Sequence, residues 1–262
     1  MNSLCSITFY DWLTENLDAF ESGQGLFCPL HIALIIVMFL WFIALIVLAI
    51  KFPKFAQKFG AVLAITMVVL RIFRMIVQLA SGKFTFVEVL PFQLCHMMCF
   101  LLAIIYFVKS TKFSLPVLCF AILGGVLTFI FGDYYYTNVP TFYIIESIIL
   151  HFALPSVSIC YICTRKPKYN AWSILEVPVV LAFMCAFASI GNAFYPERNY
   201  MYLVKNGLPF NFFPNAHFIF TYIIMAIIIV SIVLITWFIV KIIKQHISKN
   251  NIKNVEKNDV IW

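Results

Sequence analysis

Residues 29–50 read PLHIALIIVMFLWFIALIVLAI, a run in which His31 is the only ionisable side chain. At about 1.5 Å per residue, a helix of this length crosses the ~30 Å hydrocarbon layer of a bilayer. The run ends at Lys51, with Lys54 and Lys58 close behind. Basic residues in that position mark the cytoplasmic end of a membrane helix.

The same pattern recurs. Apolar runs at 59–80, 89–108, 113–131, 141–163, 173–194 and 217–241 predict an all-α membrane protein, a bundle of about seven transmembrane helices. Composition agrees, since 63% of the residues are hydrophobic and 11% charged, whereas a soluble domain carries about a quarter charged residues. Lysine and arginine concentrate in every second connection and in the tail (Lys109, Lys112, Arg165, Lys166, Lys168, Lys241, Lys244), while the alternate connections hold only Lys83, Arg198 and Lys205. The positive-inside rule therefore puts the amino terminus outside and the carboxyl terminus in the cytoplasm. The net charge of +7 comes as short clusters at helix ends, so membrane lipids are the expected partners and nucleic acid is not. Three regions follow: an extracytoplasmic segment over 1–28, a transmembrane domain over 29–247 and a basic cytoplasmic tail over 248–262. Within the first region Trp12, Leu13, Leu17 and Phe20 share one helical face, as in a helix lying on the membrane surface. Cys5 and Cys28 are the two thiols placed where an extracytoplasmic disulfide could form.

Ionisable groups inside a bilayer are expensive, by ~2.5 to 3.5 kcal/mol on insertion scales, so each needs a partner or a purpose. With this topology Arg71, Arg74 and Gln78 fall in the outer half of the second helix, and Glu88, Gln93, Cys95, His96 and Cys99 at the start of the third. Glu146 and His151 on the fifth helix and Ser189 and Asn192 on the sixth reach the same level, with His31 and His217 at the outer ends of the first and last. The set predicts a common outward-facing pocket. The plainer alternative is a buried Arg71–Glu146 pair that only fixes packing. Pro155 removes the hydrogen bond to the His151 carbonyl and predicts a kink there; Pro91 and Pro116 fall in first turns, where proline is harmless. Gly124 and Gly125 predict close helix packing.

Cys95 and Cys99 lie one turn apart, with His96 beside them. A cysteine nucleophile needs a base or cation nearby, and His96, His151, Arg71 and Arg74 are all candidates. Cys95, His96, Cys99 and His151 would also make four metal ligands, but adjacent helical residues point about 100° apart, which suits one ion poorly. No cofactor is expected. Phosphate-binding glycine loops, HExxH and GxSxG are absent from the sequence.

Three segments together resemble the YwaF-like integral membrane family, which includes the animal transmembrane protein 164. Leu90 to His96, LPFQLCH, is similar to the family's LPLHLC at the start of the third helix. Phe142 to His151, FYIIESIILH, resembles its aromatic and acidic stretch with a helix-five histidine, and Asn199 to Lys205, NYMYLVK, its asparagine and tyrosine loop. Gln93 departs from the family's usual histidine. The resemblance implies phospholipid acyl transfer in a bacterial cell membrane, with Cys95 as nucleophile and His151 as base. Arg71, Arg74, Gln93, His96, Glu146, Asn199 and Tyr200 are then the expected substrate-binding residues. The alternative is a non-enzymatic protein that holds a small molecule, such as the substrate-capturing subunit of a transporter, with a homo-oligomer or a membrane-protein partner left open.

The lysine and arginine count makes a direct prediction. A single cysteine placed near Asn258 is expected to resist impermeant thiol reagents on intact cells and to react once the membrane is opened; labelling from outside would invert the topology.

Overall fold

In a computed structural model the described residues are 8–14, 22–23, 25–82, 84–108, 113–132, 137–167, 169 and 171–203. They all belong to one compact unit, Met1–Gly207. Among the described residues eight α-helices follow one another: α1 (Phe9–Thr14), α2 (Pro29–Lys51), α3 (Pro53–Ala80), α4 (Phe86–Val89), α5 (Leu94–Val108), α6 (Ser114–Phe131), α7 (Phe142–Arg165) and α8 (Ala171–Phe194). Two short 3-10 turns, Pro196–Arg198 and Tyr200–Tyr202, close the series. Among the described residues there is no strand, only an isolated bridge between Ser22 and Thr137.

Five helices are long and apolar enough to cross a membrane, namely α2, α3, α6, α7 and α8, and α5 is a shorter apolar helix of 15 residues. The chain is an all-α membrane protein; among the described residues five of the expected spans hold a long apolar helix, and the third holds only the shorter α5. The seventh, 217–241, and the tail, 248–262, lie outside the described residues. Local chemistry sets the boundaries. Pro29 and Pro53 open α2 and α3 in the first turn, where a missing N–H costs nothing. Thr141 caps α7 by accepting the Ile144 N–H at 3.3 Å, and Lys166 ends it in a left-handed conformation.

Two boundaries differ from expectation. Helix α3 starts at Pro53, so only Phe52 separates it from α2, and Lys54 and Lys58 belong to its first turns. The third expected helix, 89–108, is broken. Leu90 is extended (φ −61°, ψ 153°) because the proline that follows disfavours the α conformation. Pro91 is thus a breaker between α4 and α5, not a harmless first-turn residue. The short α4 holds itself through a capping box, with Thr85 and Glu88 bonding each other's backbone N–H.

Helix α7 is the hub, packed against α2, α3, α5 and α6. Helices α2 and α8 keep broad apolar faces open, including Ile36, Leu40, Ile43 and Val47 on one and Leu175, Val179, Phe183 and Ile190 on the other. These faces suit contact with lipid. Because lipid tails are as apolar as leucine, helix association here relies on close packing over small residues. At Gly125 a Cβ would stand 2.6 Å from Pro155 Cδ and 2.8 Å from the His151 carbonyl oxygen. At the adjacent Gly124 it would stand 3.3 Å from Cys95 Sγ. Successive residues point about 100° apart, so this one step lets α6 press on α7 with one face and on α5 with the next.

Gly125→Ala is therefore expected to destabilise the bundle by about 1 to 3 kcal/mol, since a rigid ring and a backbone carbonyl must move. Gly124→Ala should be milder, because the neighbour is a side-chain sulfur. Thermal unfolding in detergent ranks the two, and equal effects would refute this packing.

Candidate functional site

Arg71 and Arg74 are three residues apart and share one face of α3, while Glu146 lies one turn into α7. Arg74 Nη1 donates to Glu146 Oε2 at 2.8 Å, and Arg71 Nη1 stands 4.0 Å from Oε1. The Arg74 guanidinium also lies over the Tyr143 ring, 4.2 Å from its centroid. Arg71 is 2% exposed and Glu146 1%. Among the described residues Arg71 Nε and Nη1, Arg74 Nε, Gln78 Oε1 and Glu146 Oε1 make no hydrogen bond. Inside the expected spans the only carboxylates in the whole sequence are Glu146 and Glu176, and Glu176 accepts the Phe113 N–H at 3.0 Å. Among the described residues two guanidinium charges thus share one carboxylate, and one positive charge is left over.

Helix α5 brings its histidine and second cysteine to this cluster. His96 is within electrostatic reach of Arg71, Arg74 and His151, and Cys99 of Arg71 and Glu146. Cys99 Sγ donates to the Cys95 carbonyl at 3.1 Å. Cys95 turns to α6 instead, with its sulfur 3.7 Å from Thr128 Oγ1. On α7, His151 Nδ1 lies 2.7 Å from the Ser147 carbonyl. A carbonyl only accepts, so Nδ1 carries the proton and Nε2 keeps a lone pair. No described group bonds Nε2. Of the expected residues, Arg71, Arg74 and Glu146 are thus brought together between α3 and α7; among the described residues no hydrogen bond joins Cys95 to His151. Tyr143 and Ser147 escaped the sequence reading, although Ser147 lies one turn before the His151 it bonds and Tyr143 one turn before the Glu146 whose partner Arg74 it faces.

Gln93, Asn199 and Tyr200 belong to a second network at the α4–α5 break. Gln93 Oε1 accepts the Met201 N–H at 3.2 Å. Asn192 clamps the Tyr200 backbone, accepting its N–H at 2.7 Å and donating to its carbonyl at 3.0 Å. The Tyr200 ring packs on Phe92 and its hydroxyl donates to the Glu88 carbonyl at 3.3 Å. Asn199 is buried with a left-handed backbone at the junction of the two 3-10 turns. Arg198 joins Glu88 at 2.8 Å, and Thr85 Oγ1 meets Tyr195 Oη at 2.7 Å. The connection after α8 is thereby pinned across the break.

His31 is fully buried at the top of α2. It accepts the Phe27 N–H at Nδ1 and donates from Nε2 to the Phe129 carbonyl at 2.9 Å, a carbonyl left open in the last turn of α6. That is a helix cap. Ser189 donates to its own helix at Cys185. Cys28 is a buried free thiol, and Cys5 lies outside the described residues. Among the described residues no three His, Cys, Asp or Glu side chains are grouped to hold a metal ion.

Compared with known families, the chain matches the TMEM164 family over residues 26–241. No curated protein matches it. No solved structure matches it either.

The Thr85 backbone N–H and Arg198 both bond Glu88 and hold its carboxyl below the ordinary range. A depressed folded pKa means stability that is complete above the unfolded value and lost as pH falls through the folded one. The clamp at the α4–α5 break is expected to hold at neutral pH and to loosen in acid, below ordinary carboxylate values. Glu88→Gln should remove that part of the acid dependence; an unchanged pH profile of unfolding would count against the clamp.

Proposed function

The chain belongs to the TMEM164 family, and on that footing we propose that it transfers acyl chains between membrane phospholipids through a cysteine thioester, in the outer leaflet of the cell membrane. The observation that carries this reading is the His151–Ser147 bond at 2.7 Å, which holds the imidazole in the tautomer of a general base. No described group bonds its Nε2, and the Gly124–Gly125 step brings the helices of both residues against α6.

The Cys95 thiol leaves Thr128 by rotating about its side-chain bond and gives its proton to His151 Nε2, directly or through one water. The thiolate attacks the ester carbonyl of a donor phospholipid. Collapse of the tetrahedral intermediate breaks the ester C–O bond, and His151 returns the proton to the departing lysolipid oxygen. A second lysolipid hydroxyl then attacks the thioester and loses its proton to His151. The thiolate leaves and recovers that proton. His96, Arg71, Arg74 and Glu146 serve the substrate, whereas Gln93, Asn199 and Tyr200 hold the wall beside it.

Mass analysis of the purified chain in phospholipid nanodiscs tests the reading. The wild type is expected to gain one acyl group that neutral hydroxylamine removes. Cys95→Ser should gain none, and Cys99→Ser should gain it as the wild type does. His151→Ala should slow acylation by about 10²- to 10⁴-fold, the usual worth of a general base. A hydroxylamine-labile acyl group on the Cys95→Ser chain would sink the mechanism.

A further inference from the structure

Cationic side chains near a thiol can stabilise a developing oxyanion or bind a substrate charge elsewhere. An oxyanion hole needs donors about 2.7 to 3.1 Å from the reacting oxygen. Cys95 meets Thr128 and Gly124 and has no arginine against it among the described residues. The arginines of α3 sit around Glu146 of α7. Among the described residues the Cys95 thiol and the arginines thus have different neighbours.

We infer that Arg71 and Arg74 form a subsite for a single phosphodiester monoanion, the headgroup phosphate of a phospholipid. The inference rests on the acyl-transfer reading only for the lipid nature of the ligand. Its charge comes from the cluster itself. One guanidinium is matched by Glu146 and the other is not, so one negative charge neutralises the site. A neutral diacylglycerol leaves the excess standing, and a doubly charged phosphomonoester overshoots it. Donor geometry agrees, because Arg71 Nε and Nη1 and Arg74 Nε are buried without partners. A planar guanidinium suits two phosphate oxygens at once. Arg74 keeps 18% of its side chain exposed against 3% for Arg71, so the approach is from the Arg74 side. Gln78, one turn beyond Arg74 on the same face, adds a buried carbonyl oxygen without a partner for a donor on the headgroup.

Native mass spectrometry of the full chain as Cys95→Ser, in neutral detergent, tests this without requiring acyl transfer. Equal amounts of dioleoylphosphatidylglycerol, dioleoylphosphatidic acid and dioleoylglycerol are offered together. The phosphatidylglycerol adduct is expected to exceed the dioleoylglycerol adduct by about tenfold or more, the scale of charged hydrogen bonds, and to exceed the phosphatidic acid adduct at pH 8. Arg71→Gln should bring phosphatidylglycerol down to the dioleoylglycerol level. Arg71→Lys, which keeps the charge and the fold, should lower retention several-fold through loss of the planar fork. Equal retention of dioleoylglycerol, or undiminished binding in both variants, would overturn the subsite. So would millimolar inorganic phosphate that displaces the lipid and remains bound itself, since the ligand would then be a soluble anion. Selective binding with no thioester in the wild type would leave the subsite standing and remove the acyl-transfer reading. The reverse pair of results would do the opposite.

Discussion

Two arginines around one carboxylate, inside an apolar bundle, form the interaction on which the rest of the molecule depends. A lone charge at that depth costs several kcal/mol, and removing one member of a buried pair strands the other. Arg74 and Glu146 therefore tie α3 to α7 at the end of the bundle where α5 begins. The Gly124–Gly125 step of α6 supplies the complementary constraint by fixing how closely α5 and α7 can approach. Pairing sets which helices meet, and the glycines set how near.

The pairing is incomplete, and function enters there. A purely structural buried bridge would be balanced, as the plainer reading of Arg71 and Glu146 assumed. The second arginine makes the cluster electropositive, and the apolar run 217–241 contains no acidic residue to balance it. A membrane protein that keeps an uncompensated cation in its bundle bears a standing energetic cost, and binding an anion relieves it. The Cys95 thiol stands apart, against Thr128 and Gly124 of α6.

The helices were legible in the sequence because bilayer thickness imposes a length and excludes charge, two constraints that a single chain displays openly. The meeting of Arg71 and Arg74 with Glu146 was legible for the same reason, since depth in the membrane follows from counting residues along each helix. What depth does not give is azimuth. Cys95 and Cys99 share a helix face one turn apart, yet the Cys95 sulfur meets Thr128 of α6 and the Cys99 thiol bonds back to its own helix. Gln93 and Tyr200 are expected substrate ligands by level and by resemblance, and the hydrogen bonds they make run to the Met201 N–H, Asn192 and the Glu88 carbonyl. The break at Leu90 and Pro91 was visible as a proline, but a first-turn proline and a helix-breaking one look alike until the residues before it are known to form a capped turn of their own.

An experimental structure of the chain in phospholipid nanodiscs tests the incomplete pairing most directly, through what occupies the partnerless edge of Arg71. Phosphate-sized density within hydrogen-bond distance of Arg71 Nε or Nη1, with Arg74 still on Glu146, is the predicted result. A carboxylate of the chain itself on that edge, such as Glu15, Asp18 or Glu21, would show the charge to be balanced internally and contradict it.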